Sequence, residues 1–183
     1  MKIIVAMTGS SGTGYGVRLL EALKEAKVET FLVMSEWAEK VIEQELSIKP
    51  EEVRKLATHV LSNKDMAASI SSSSFLVDGM IVIPATVKTI SEIATAHTGT
   101  LIARAADNML RTRKRLVVAF RETPISIPTI ENLGKISQAG GIVMPLTAGF
   151  YHRPEKMEEV YDFSVGKALD LLGVENKKFR RWA

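Results

Sequence analysis

Continuous apolar runs alternate along this chain with segments whose apolar residues recur every three or four positions. The runs at residues 3–7, 28–34, 80–84, 116–120 and 142–145 have the length and composition of strands buried on both faces. Helical spacing fills the intervals and predicts helices over residues 15–26, 36–46, 87–96, 101–112, 128–139 and 155–172. Pro50-Glu51-Glu52 has the form of a helix start, with proline in the first turn, and predicts a further helix over residues 53–61. Alternating strands and helices imply an α/β protein. Its parallel sheet would be doubly wound by right-handed crossovers, with helices on both faces making three layers. With no repeat and no linker in 183 residues, a single domain over residues 1–183 is expected.

In such a sheet ligands bind beyond the carboxyl ends of the strands, so the residues that follow each strand become candidates. Thr8-Gly9-Ser10-Ser11-Gly12 follows the first and Ser35 the second. The third leads to Ala85-Thr86-Val87-Lys88-Thr89, the fourth to Arg121-Glu122-Thr123-Pro124, and the fifth to Thr147-Ala148-Gly149-Phe150-Tyr151-His152. The first turn is rich in glycine and hydroxyls and opens a helix, which gathers backbone N–H groups and a positive helix end where a phosphate could sit. It matches neither the dinucleotide fingerprint nor the P-loop. Ser35 stands where a nicotinamide enzyme would carry Asp or Glu for the ribose hydroxyls. Hydroxyls from Ser11 and Ser35 suit instead the open ribityl chain of a mononucleotide such as FMN. Residues 67–74, Ala-Ala-Ser-Ile-Ser-Ser-Ser-Ser, read either as a flexible loop or as small hydroxyl residues lining a pocket.

Composition narrows the classes. Hydrophobic residues make up 46% and charged residues 25%, which fits a soluble globular protein and excludes disorder. The absence of cysteine excludes thiol catalysis, thiolate metal sites and disulfides, and a reducing, cytoplasmic location is expected. No run of ~18 apolar residues suggests a membrane span, and a first strand starting at Lys2 leaves no room for a cleavable signal. A net charge of +3 suits small anionic ligands; only Lys177, Lys178, Arg180 and Arg181 cluster, so nucleic acid is not expected as a partner. His59 and His97 lack carboxylate or histidine companions at ligand spacing, so no metal is expected.

Several segments carry a specific resemblance: MTGSSGTGYG, LVMSEWAEKVIEQE, DMAASISSSSF, IPATVKTI, LIARAAD, RETP, GFYHRP and a terminal RRW. In this order and at similar spacing over nearly the whole chain, they resemble the UbiX-type flavin prenyltransferases. The resemblance implies a flavodoxin-like or Rossmann-like subunit that binds FMN and assembles as a homo-oligomer, often a dodecamer. It also implies transfer of a dimethylallyl group from dimethylallyl phosphate to N5 and then C6 of reduced FMN, without metal. The prenylated FMN so made serves UbiD-type decarboxylases. Matched one by one, Gly9, Ser10, Ser11, Ser35, Thr86, Val87, Lys88, Thr89 and Arg121 would contact FMN. Tyr151 and Lys167, with Arg104, would hold the prenyl phosphate. Glu122 would act beside the reactive edge of the flavin, with Glu45 a second carboxylate, Arg111 a further cation and Trp182 a lid over the prenyl group. The family usually has lysine in the place of Arg111 and often arginine in that of Lys167, and a fork and a point charge are not interchangeable toward phosphate.

The chemistry is consistent with these residue types. A prenyl phosphate that loses phosphate without a metal needs fixed cations and donors around the leaving group, and an aromatic face for the allyl cation. Ring closure releases a proton, for which Glu122 is a plausible general base. Plainer roles compete. Arg121 with Glu122 could be a surface pair, Arg104 with Asp107 a helical i,i+3 pair, Lys167 near Asp170 a solvated charge, and Trp37 a core or interface residue. His152, beside Tyr151, would orient its loop. Two other functions share the glycine turn and FMN: oxidative cysteine decarboxylation and non-catalytic flavin carriage.

Overall fold

A computed structural model describes residues 1–151, 153–179 and 181. Six strands form one parallel sheet in the order β3-β2-β1-β4-β5-β6, the Rossmann arrangement. They are β1 (Lys2–Met7), β2 (Glu29–Met34), β3 (His59–Ser62), β4 (Gly79–Ala85), β5 (Arg115–Phe120) and β6 (Ile142–Pro145). Helices α1 (Thr13–Glu25), α2 (Glu36–Leu46), α3 (Pro50–Arg54) and α7 (Met157–Leu172) contribute to one face. Helices α4 (Val87–Ala94), α5 (Leu101–Arg111) and α6 (Ile127–Gln138) cover the other. The three layers and the α/β class expected from the alternation are therefore present.

The central strands are buried on both faces because their residues alternate between two cores. Ile3, Val5 and Met7 of β1 pack under α1 and α7, while Ile4 and Ala6 pack under α4 and α5. This is why β1, β4 and β5 read as unbroken apolar runs.

One expected element is corrected. The helix over residues 53–61 does not form: α3 stops at Arg54, and residues 59–62 make the edge strand β3. β-Branched Thr58 explains the change. Thr58 N–H donates to Thr30 Oγ1 (3.0 Å) and Thr30 N–H donates to Thr58 Oγ1 (3.1 Å), which starts β3 alongside β2. The strand is exposed along most of its length, so it lacks the apolar run that marks the others.

Residues 67–74 lead toward β4 as a mostly exposed segment anchored by buried Ala68 and Ile70. Buried Asn108 of α5 donates to Ile70 O (3.2 Å) and Ser71 O (2.9 Å), and Arg104 Nε donates to Ser71 O (3.1 Å). The loop is thus pinned to α5 by three bonds, and a 3-10 turn forms at Ser69–Ser71.

Candidate functional site

The strand order reverses between β1 and β4, and there the turns after the two strands diverge to opposite faces and leave a crevice. Thr8, buried in its floor, joins the two sides: its Oγ1 donates to Pro84 O (2.7 Å) and accepts from Thr86 N–H (2.8 Å). Ser10 ties the same turn to the end of β5 by donating to Arg121 O at 2.8 Å. Arg121 Nε in turn reaches Ser11 O at 3.5 Å, and Glu122 accepts from Thr123 N–H at 3.1 Å. Gly9, Ser10, Ser11, Arg121 and Glu122 are therefore brought to one rim.

Two helix N-termini open onto the crevice. Ser35 caps α2, its Oγ accepting from Ala38 N–H (3.1 Å), and Thr86 caps α4, its Oγ1 accepting from Thr89 N–H (3.2 Å). Each cap leaves the N–H groups of the first two helical residues without intrahelical partners, and the Ser35 hydroxyl keeps its own hydrogen to donate. A cavity of about 240 Å³ lies between them, bordered by Thr8, Gly9, Ser35, Trp37, Thr86 and Thr89. It adjoins a wider recess of about 690 Å³ that shares Ser35, Trp37, Asn63, Lys88 and Thr100 and extends to Ser62 and Lys64. Lys88, its ammonium 3.1 Å from Glu92, brings a cation to the mouth. Hydroxyls, two helix starts and a lysine around a space of this size fit the phosphate and ribityl chain of a mononucleotide.

The third helix start does not serve in the way expected. The α1 N-terminus, read as a phosphate seat, is filled by Glu45 from the far end of α2. Its carboxylate accepts from Gly12 N–H (3.0 Å), Thr13 N–H (3.0 Å) and Thr13 Oγ1 (2.8 Å). Gly12, at φ +95°, turns these donors toward it. Burial pushes the Glu45 carboxyl up, but the bonds from Ser11, Thr13 and Gly12 outweigh it and hold the group below the usual carboxylate range. Ser11 thus has Glu45 as a hydroxyl partner as well as any ligand.

Arg111 is not brought to this crevice, whereas Arg104 lies in the first turn of α5, two residues past Ile102 of the cavity wall. Helix α5 starts beside it, at Thr100, and runs about 15 Å away toward the amino ends of the strands. Arg104 is engaged with Ser71 O, and the competing reading of it as the i,i+3 partner of Asp107 is not met. Asp107 instead takes Arg111 Nε at 2.8 Å, and Arg111 also donates to Asn108. Tyr151 and Lys167 both lie against Phe163. The Tyr151 ring meets Phe163 edge to face at 5.9 Å, and the Lys167 ammonium stands 6.0 Å from the same ring. Lys167 is exposed, with its ammonium 4.9 Å from the Phe179 ring, and Asp170 is engaged by Arg181. Trp37 is 66% exposed, which removes the core reading for it. Trp182 and His152 lie outside the described residues.

Asn63, Thr100 and Trp37 were not read from the sequence as site residues. Asn63 follows β3, so missing that strand hid it. Its Oδ1 accepts from Ile102 N–H at 3.0 Å and fixes the start of α5 against the recess. Among the described residues no group of three or more His, Asp or Glu could hold a metal, and no helix is long and apolar enough to cross a membrane.

Relatives agree with this geometry. Residues 1–168 match the flavoprotein family. Flavin prenyltransferase UbiX of Methanothermobacter thermautotrophicus is 43% identical over 180 residues, 98% of this chain and 94% of that protein. The crystal structure of AnUbiX (PadA1) in complex with FMN and dimethylallyl pyrophosphate superimposes with a TM-score of 0.98 at 43% identity, covering 100% of this chain and 97% of the other. A dodecameric FMN-dependent UbiX-like decarboxylase from Escherichia coli O157:H7 gives a TM-score of 0.97 at 42% identity, with both chains covered completely. With likeness of this extent in both sequence and fold, the chain belongs to the flavoprotein family, among its UbiX-type flavin prenyltransferases.

Proposed function

We propose that this chain, as one FMN-binding unit over residues 1–183, transfers a dimethylallyl group from dimethylallyl phosphate to N5 and C6 of reduced FMN. Membership of the family over the full chain carries the reading, and the crevice at the β1/β4 reversal supports it. Gly9, Ser10, Ser11 and Ser35, with the turn Thr86, Val87, Lys88 and Thr89, would hold FMN. Bound reduced FMN supplies the nucleophilic positions of the reaction.

The protein's own groups do the rest. Arg121, Lys167 and the Tyr151 phenol neutralise the departing phosphate, and charge-assisted bonds of this kind are the strong ones. No step in this scheme needs a divalent cation. Glu122 accepts the proton released on ring closure, and Trp182 shields the prenyl group. Holding both substrates together makes the transfer unimolecular. Arg111, remote from the crevice of its own chain, would act only at the crevice of another copy, and Arg104, in the first turn of α5, would sit between the two. Together with the exposed Trp37, Leu76, Ile127 and Phe150, they support a homo-oligomer, for which we infer a dodecamer. The product would serve a UbiD-type decarboxylase in the cytoplasm.

Anaerobic incubation with reduced FMN and dimethylallyl phosphate tests this directly. The expected product is heavier than FMN by one prenyl unit, forms without added metal and is unaffected by excess EDTA. Unchanged FMN would indicate a flavin carrier, and turnover of a cysteine-ended peptide a decarboxylase. Loss of product with EDTA would overturn the metal-free scheme.

A further inference from the structure

Lys167 is exposed on α7, with its ammonium held in a partial aromatic box made by Phe163 and Phe179. Its ammonium stands 4.9 Å from the centroid of Phe179 and 6.0 Å from that of Phe163, and the two rings meet edge to face at 5.6 Å. The tail that carries Phe179 is fastened to α7 on both sides of it. Before it, Asn176 Nδ2 donates to Gly166 O (3.2 Å) and Asp170 Oδ1 (2.9 Å). After it, Arg181 donates to both oxygens of Asp170, at 2.7 and 2.8 Å, and its guanidinium lies 5.3 Å from the same Phe179 ring. Lys178 adds an ion pair to Glu25 of α1 at 3.1 Å.

Gly166 gives the ring its seat. A Cβ there would lie 2.7 Å from Phe179 Cε1 and nearer still to Cδ1, so any larger residue displaces the ring. This matters because a lysine is a point charge on a flexible stem, without the preorganised fork of an arginine. A lysine that must meet a phosphate gains from being held, and the negative faces of two rings can hold its ammonium without neutralising it.

We propose that Phe179 and Gly166 are positioning residues for the prenyl phosphate. The tail lays Phe179 over Gly166 so that Phe179 and Phe163 hold the Lys167 ammonium beside the ring against which Tyr151 also packs. This rests on the reading of Lys167 as a phosphate ligand given above. Asp170 and Arg181 act through the same device, since they fix the tail rather than touch the ligand.

The test compares Phe179→Leu, which keeps apolar bulk and loses the π face, with Phe179→Tyr, which keeps both. Calorimetry on protein loaded with oxidised FMN reads the Kd of dimethylallyl phosphate, and anaerobic assays with reduced FMN read KM and kcat. Phe179→Leu is expected to weaken Kd and raise KM by about 3- to 30-fold, with kcat lowered as well and FMN affinity little changed. Phe179→Tyr should restore all three constants, and Gly166→Ala should imitate the leucine variant. Lys167→Ala should weaken Kd by about 10- to 100-fold, and adding Phe179→Leu to it should cost nothing more. Wild-type affinity in Phe179→Leu beside a weakened Lys167→Ala would overturn the positioning role and leave the reading of Lys167 intact. An unaffected Lys167→Ala would remove that reading and this inference with it. Additive losses in the double variant would also overturn it. In lysine-labelled wild-type protein the Lys167 ε-methylene protons should be shifted upfield by the Phe179 ring. An unshifted signal would refute the box without recourse to any variant.

Discussion

Replacing Glu122 by glutamine should slow formation of the four-ring product by about 10²- to 10⁴-fold, the usual contribution of a positioned general base. The substitution keeps the size of the side chain and leaves an acceptor for Thr123 N–H, so folding and FMN affinity are expected to be unchanged. Because the proton leaves only on ring closure, after the C–O bond has broken, the defect should fall on one step. In an anaerobic single turnover, one equivalent of phosphate per site should still be released at close to the wild-type rate, while the final product lags far behind. Equal slowing of phosphate release and product would show that Glu122 acts before bond cleavage, as part of the electrostatic field around the phosphate. The flanking Arg121 provides the contrast: Arg121→Ala should depress phosphate release itself, since a fixed cation beside the leaving group acts on that step.

Residues of this rim were legible in the sequence because topology alone puts them there. Once residues 3–7, 80–84 and 116–120 are read as doubly buried parallel strands, the turns after them must share one edge of the sheet. That brings Gly9, Thr86 and Arg121 together without knowledge of any contact. Edge strand β3 escaped for the opposite reason. It is covered on one side only by β2, it carries exposed His59 and Val60, and nothing in its pattern distinguishes it from a solvated helix end. Partner choice over long separations was equally hidden. Periodicity can place Glu45 near the end of a helix, but not against Gly12 and Thr13, more than thirty positions away in sequence. Nor can it show that Asp170 prefers Arg181 to Lys167, a choice that sets up the aromatic box.

The Glu45 contact carries the second large expectation, on stability. A helix start with three donors aimed at one carboxylate is an N-cap supplied from elsewhere in the chain. Glu45→Ala leaves those donors to water, and solvent reaches the side chain, so the cost is that of a cap rather than of a buried ion. About 1–3 kcal/mol is expected, a fall in Tm of about 2–10 °C for a chain of this length. The pH dependence identifies the cause. The folded state lowers the Glu45 pKa, so its contribution is present above the unfolded value of about 4.3 and is lost as pH falls through the lower folded value. Thermal melts between pH 7 and pH 3 should therefore show wild type and Glu45→Gln converging toward the acid end, because protonation makes the native side chain resemble the amide. A constant gap across that range would mean that the carboxylate charge is not what holds the α1 N-terminus. The same cap bears on the proposed function, since a negative charge already seated at α1 would turn phosphate away from that helix and toward Ser35, Thr86 and Lys88. Glu45→Gln should therefore weaken FMN binding little and bind inorganic phosphate more tightly than wild type does. Tighter phosphate binding confined to acid pH in the wild-type protein would be the matching sign.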